Sequence, residues 1–344
     1  MKKILSMILL TTLILFTACQ NSPKSTNFEF GEDLVFVEKN GNYSIDLEKS
    51  SNLVKSKYDK ISKTLDDKAI LEDFVAVTTT TANILNEVGI IPTGAPKSPS
   101  LDKNIASLQY ELKENGEIDK TKVLNIGSAI SPNIEAIIEL DPKIVLYSDA
   151  MPKTGFVEKL EASEVKTGAI GQSDYIDMFV LLHRINELTE YENTKSMDKM
   201  NEMIAALKET KEIVSKAEEG KTVAILQVIE GTTMVNNSET VLGSITETLK
   251  IKNVFASSEN GELNKEQLLS LNPDYIIYYS TGMAMDSIAN FEKELNSEDS
   301  IYRELDAVKN SNAFQVASED FTFLSSVDFD IIKIIKYLAE KFYE

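Results

Sequence analysis

The 344-residue chain carries one histidine, His183, and one cysteine, Cys19. Its only arginines are Arg184 and Arg303. That shortage narrows the chemistry. A bare Zn²⁺ or Mn²⁺ site needs several His, Asp or Glu donors converging on one point, and a single histidine is a poor start. There is no G-x-S-x-G elbow, no H-E-x-x-H and no glycine-rich phosphate loop, and a Ser–His pair would have to use His183. Enzyme activity and an intrinsic cofactor are therefore not expected. A formal net charge of −20 argues against a nucleic-acid partner; the same acidity also serves solubility.

What remains is polar and aromatic recognition. Thr78–Thr81, with Thr79 and Thr80 foremost, and Ser128, Ser148, Asp149 and Gln227 lie at expected strand ends and offer hydrogen bonds to a small ligand. Lys97 and Lys153 lie in expected cleft loops and can meet anions as point charges, although each alone reads as a solvated surface lysine. The stretch Tyr278-Tyr-Ser-Thr-Gly-Met283-Ala-Met285 suits a flat apolar ligand, although paired methionines more often serve packing. Tyr147 ends the other strand of this kind. Two arginines, neither in an expected cleft loop, argue against bidentate recognition of a carboxylate-rich ligand.

The elements that must position these groups centre on a unit that occurs twice. Residues 131–148 and 262–279 align with a shift of 131, matching Glu135 with Glu266, Leu140 with Leu271, Pro142 with Pro273 and Tyr147 with Tyr278. Each copy reads as a short amphipathic helix, a proline stop and a buried strand. Two copies so far apart imply two similar α/β lobes with mostly parallel sheets, whose ligands gather at the C-terminal strand ends. Other strands are expected at Phe74–Val77, Ile90–Ala95, Val123–Ile126, Thr222–Leu226 and Phe314–Val316. Helices are expected at 82–88, 104–121, 240–250 and 327–343, with a loop at 229–238. A hairpin at Asn40-Gly41 followed by a helix is expected near the start.

Residues 174–218 contain neither Gly nor Pro and read as one continuous helix, about 65 Å long at ~1.5 Å per residue, enough to bridge two lobes. His183 lies within it, where a packing role is expected. The domain plan is a signal peptide over 1–19, a tether over 20–31, an N-terminal lobe over 32–173, a bridging helix over 174–220 and a C-terminal lobe over 221–344. Lys2 and Lys3 precede the apolar run Ile4–Phe16, which is too short to span a bilayer.

With these features in place, the chain resembles the solute-binding lipoproteins of ABC importers. The class is the helical-backbone one that takes up iron–siderophores, haem and cobalamin. Leu15-Phe-Thr-Ala18-Cys19 is similar to a bacterial lipoprotein signal, which implies lipidation of Cys19 and membrane anchoring outside the cytoplasm. Asp73-Phe-Val-Ala-Val-Thr, Asn125-Ile-Gly127…Asn133-Ile-Glu135 and Tyr302-Arg-Glu-Leu-Asp-Ala307-Val-Lys resemble motifs of that family in order. The resemblance implies two Rossmann-like lobes joined by a long backbone helix, and capture of an iron complex between them. It further implies that Glu135 and Glu266 dock onto arginines of a dimeric permease. The layout is most similar to the haem-receptor branch. The places where that branch carries its methionine and histidine iron ligands are held here by Ile130 and Thr281, neither an iron ligand. Substitutes would have to come from Tyr147, Tyr278, Tyr279, Met151, Met283 or Met285. Capture of a siderophore, of haem, of a corrinoid or other tetrapyrrole, or less simply of a bare transition metal, stays open on the sequence.

Overall fold

A computed structural model describes residues 27–96, 123–129, 131–150, 155–216, 220–280, 285–316 and 327–343. The expected signal peptide with Cys19, and the polar helical stretch 104–121, lie outside the described residues.

The N-terminal lobe is built on a five-stranded sheet of β4 (Phe74–Ala76), β5 (Gly94–Ala95), β6 (Leu124–Asn125), β7 (Ile144–Ser148) and β8 (Thr167–Ile170). The order is β6-β5-β4-β7-β8 and every pairing is parallel. Between the strands run α2 (Thr79–Glu87), α3 (Ile134–Leu140) and α4 (Phe156–Ala162). β4 is buried on both faces, as a strand covered by helices on either side must be. The C-terminal lobe has β9 (Thr222–Ile229), β10 (Thr232–Val235), β11 (Lys252–Asn253), β12 (Tyr275–Tyr279) and β13 (Ala313–Gln315). β12 lies between β9 and β13, both parallel to it, while β10 adds an antiparallel edge to β9. Its helices are α7 (Val241–Thr248), α8 (Lys265–Leu271), α9 (Met285–Asn296) and α10 (Asp306–Lys309).

The repeat survives folding with its register intact. α3 and α8 are both seven residues long and are followed by the five-residue strands β7 and β12. Asn133 and Asn264 cap the two helices in the same way, each side-chain oxygen accepting from the third backbone N–H. Asp141 and Asn272 close them in the left-handed conformation, at φ 48° and 37°.

Three expectations need correction. The expected tether includes residues 27–30, yet these form β1 (Asn27–Phe30) of a three-stranded antiparallel sheet with β2 (Leu34–Lys39) and β3 (Asn42–Ile45). The cause is the alternation that buries Phe30 against Tyr175, ring centroids 6.0 Å apart. The hairpin at Asn40-Gly41 and the helix after it, α1 (Asn52–Thr64), are as expected. The loop 229–238 contains β10, because the Glu230-Gly231 turn folds the chain back onto β9. The bridging helix is two helices, α5 (Tyr175–Leu188) and α6 (Thr194–Ser215). Glu190 and Tyr191 take positive φ of 50° and 60°, and Asn193 starts α6 by capping Ser196 N–H. Neither residue at the break is Gly or Pro, so the sequence carries no overt stop.

At about 1.5 Å per residue, the 22-residue α6 spans about 33 Å rather than 65 Å. It begins at the N-terminal lobe, where Asn193 donates to Val88 O (3.0 Å) and Lys199 pairs with Glu87 (3.6 Å). α11 (Ile331–Tyr343) runs alongside it in the same direction, with Lys199 over Phe329 near the start and Lys336 paired with Glu209 further on. Its end is fixed in the C-terminal lobe, where Tyr275 and Lys221 both donate to Phe342 O. Two parallel helices therefore join the lobes. One continuous core runs from Phe36 and Ile45 of the small sheet through Phe179, Ile204 and Leu207 to Ile225, Ile277 and Leu338.

Candidate functional site

Parallel strands end together, and the loops leaving them form a natural crevice. In the N-terminal lobe that edge carries the start of α2. Thr78 caps the helix, accepting from Thr81 N–H (3.2 Å), and the Thr78 and Thr81 hydroxyls lie 2.7 Å apart. Thr79 and Thr80 fill the first turn, both half-buried. In the C-terminal lobe the corresponding edge carries Gln227 and Tyr279, cross-strand partners on β9 and β12. Of the expected groups, Thr79, Thr80, Gln227 and Tyr279 thus lie where parallel strands of the two sheets end.

Several of them are already committed. Ser148 is buried and its hydroxyl accepts from Ala150 N–H (3.2 Å). Ser128 is exposed and accepts from Ser131 N–H (3.1 Å), tightening the turn into α3. Asp149 accepts from Lys60 (2.9 Å) and from Gln172 N–H (2.9 Å). Lys97, Ile130, Met151, Lys153, Thr281 and Met283, and the side chain of Met285, lie outside the described residues.

The three tyrosines are engaged in distinct ways. Residues on β7 alternate, with Ile144 and Leu146 in one core layer and Val145 and Tyr147 in the other. Tyr147 therefore packs edge-on against Phe156 of α4 (6.0 Å), and beside it opens a surface cavity of about 690 Å³ that includes Lys60 and Lys63 of α1. Tyr278 donates to Glu292 (3.0 Å), and burial together with that carboxylate pushes its hydroxyl pKa well up. Tyr279 donates to Asn236 (2.6 Å), and burial pushes it up to about 12. Both hydroxyls are engaged within the C-terminal lobe. His183 is 5% exposed, tilts against Tyr58 of α1 at 5.6 Å, and has its pKa lowered by burial. The expected packing role fits that environment. Among the described residues no group of three His, Cys, Asp or Glu side chains is arranged to hold a metal ion.

Glu135 and Glu266 occupy the second position of α3 and α8, each exposed, each in the first turn where the helix dipole favours a carboxylate. Neither has an ion pair among the described residues. Their environments match because the two helix–strand units match.

Gln172 was not anticipated. It follows β8, is fully buried, and its side chain donates to Thr81 Oγ1 (3.2 Å). β8 itself went unread: its alternation over Thr167–Ile170 is too short to stand out from the surrounding polar sequence.

The comparisons agree with this construction. The High-affinity heme uptake system protein IsdE of Staphylococcus aureus (strain MRSA252) is 26% identical over 270 residues, covering 75% of this chain and 88% of that protein. An ABC transporter substrate-binding protein from Listeria monocytogenes EGD-e superposes with a TM-score of 0.61 at 20% identity, over 79% of this chain and 98% of that one. The Bacillus subtilis triscatecholate siderophore binding protein FeuA, complexed with Ferri-Bacillibactin, gives 0.55 at 18% identity, over 79% and 92%. These likenesses share the two-lobed fold. The sequence matches the family described as periplasmic binding protein over residues 74–319, and with that match and this architecture the chain belongs to the periplasmic binding protein family.

Proposed function

We propose that this protein is the extracytoplasmic solute-binding component of an ABC importer. It captures an iron complex, a siderophore or haem-like ligand, between its lobes and delivers it to the permease. It is not an enzyme and holds no resident cofactor. Lipid on Cys19 anchors it to the membrane, and Glu135 and Glu266 dock it onto the permease dimer. The carrying observation is the paired unit: two helices of equal length and identical capping present one exposed glutamate each, one per lobe. A two-lobed binder that meets a dimeric partner needs such a matched pair, and charge pairing sets register and on-rate.

The iron reading is supported by the relatives, one a haem uptake protein and one a siderophore binder. The described residues favour a ligand that arrives with its own iron donors, since the hydroxyls of Tyr278 and Tyr279 are engaged and His183 is turned away. Native mass spectrometry of protein from its own host names the ligand directly. Titration with haemin and with a ferric triscatecholate separates the two classes. A Soret shift selects haem, quenching by the catecholate complex selects a siderophore, and no response to either removes the iron reading.

A further inference from the structure

Gln172 touches three segments that otherwise belong to different parts of the molecule. Its N–H donates to Asp149, the residue directly after β7. Its side-chain amide donates to Thr81 in the first turns of α2, beside Thr79 and Thr80. Its carbonyl accepts from Val327 N–H (3.1 Å), where the chain from the C-terminal lobe begins its run into α11. Gln172 and Thr81 are each 0% exposed.

The residues around Gln172 are locked from behind. Asp177 accepts from Ser173 N–H (2.9 Å) and Asp174 N–H (3.3 Å) with one oxygen, and from Lys57 (2.8 Å) with the other. Lys57 also pairs with Asp174 (3.1 Å). A Cβ at Gly171 would stand 2.4 Å from Asp177 Oδ1, so the chain reaches Gln172 only by the close approach a glycine permits. Lys57 and Lys60 both lie on α1, within the N-terminal stretch that precedes the family match at residue 74. Helix α1 thus grips the segment that carries Gln172.

We propose that Gln172 is a positioning residue for ligand retention, fixing the α2 start that carries Thr79 and Thr80 against the lobe-crossing segment at Val327. Lys57 and Asp177 hold it in register. The proposal rests on the reading of the inter-lobe space as the ligand cleft.

The test compares Gln172→Leu, which keeps both backbone bonds, with Thr81→Val, which removes the partner hydroxyl, and with the double variant. Hydrogen exchange of the ligand-free protein reads peptides 78–87, 327–332 and the strands β9 and β12. Stopped-flow measurement with haemin or the ferric triscatecholate, whichever the parent protein binds, reads association and dissociation. The expected result is about tenfold faster exchange in 78–87, the scale of one lost neutral hydrogen bond, with β9, β12 and the backbone-held 327–332 unchanged. Dissociation should quicken by about the same factor while association stays the same. The double variant should match Thr81→Val, because that change already removes the amide's partner together with the Thr78 contact. Exchange that rises uniformly, unchanged exchange at 78–87, a double variant weaker than Thr81→Val by the full Gln172→Leu effect, or unchanged dissociation overturns the proposal. If the parent protein binds neither probe, the ligand class fails and the exchange data alone decide on Gln172. If Gln172→Leu does not fold, Thr81→Val carries the same comparison.

Discussion

Asp328 sits at the lobe junction just before α11, with Asp330 and Glu87 as acidic neighbours and Lys333 as a counter-charge; Lys199 in turn pairs with Glu87. Burial first, and then Asp330, push its pKa from 3.8 to about 6. The folded chain therefore holds that proton more tightly than the unfolded chain, and this group lowers stability as pH rises from about 4 to 6. Above that window the penalty is complete. At about 1.4 kcal/mol for each tenfold change in proton affinity, it has an upper bound of about 3 kcal/mol at pH 7.5, and partial solvent access reduces it toward 1. Asp328→Asn removes the charge and keeps an oxygen to accept from Asp330 N–H, a bond of 3.0 Å. Urea unfolding should show the variant about 1–3 kcal/mol more stable at pH 7.5 and equal to the parent at pH 4. A variant no more stable at pH 7.5, or one whose gain is the same at both pH values, refutes the desolvation argument.

Other outcomes follow from the same geometry. Glu135→Ala combined with Glu266→Ala should cut uptake in cells at least about tenfold while leaving ligand affinity unchanged, since both side chains are exposed; lost affinity in purified protein would contradict docking. Asn133→Ala and Asn264→Ala should each cost about 1 kcal/mol in urea unfolding, and by similar amounts, because the two caps have the same geometry. Burial lowers the His183 pKa, so its contribution is complete above its unfolded pKa of about 6.5 and is lost as pH falls below it. His183→Leu should flatten stability between pH 7 and 5 without altering ligand affinity; altered affinity would place His183 in the binding machinery. Phe36→Ala, in the core shared by the small sheet and Phe179, should cost about 3–5 kcal/mol, and a surface-like loss below 1 would show that the sheet folds apart from the lobes.

The paired helix–strand units, the parallel lobes and the exposed glutamates were legible in the sequence because each depends on local rules. Helix caps, a proline stop and a doubly buried strand act over a few residues, so the shift of 131 carried directly into matching structure. The packing role of His183 was legible too, from its place on an apolar helical face. The break at Glu190–Tyr191 was not, since two non-glycine residues take left-handed backbone only where surrounding contacts, such as Asn193 to Val88 O, stabilise it. Which face of β7 carries Tyr147 depends on strand register and the layer packed above it, and that set it against Phe156. Tyr278 and Tyr279 lost their free hydroxyls to Glu292 and Asn236, which lie 14 and 43 residues away in sequence. Gln172 depends wholly on tertiary structure: its partners are 23, 91 and 155 positions distant, and only the packed lobes bring a strand end, a helix start and a returning segment to one residue.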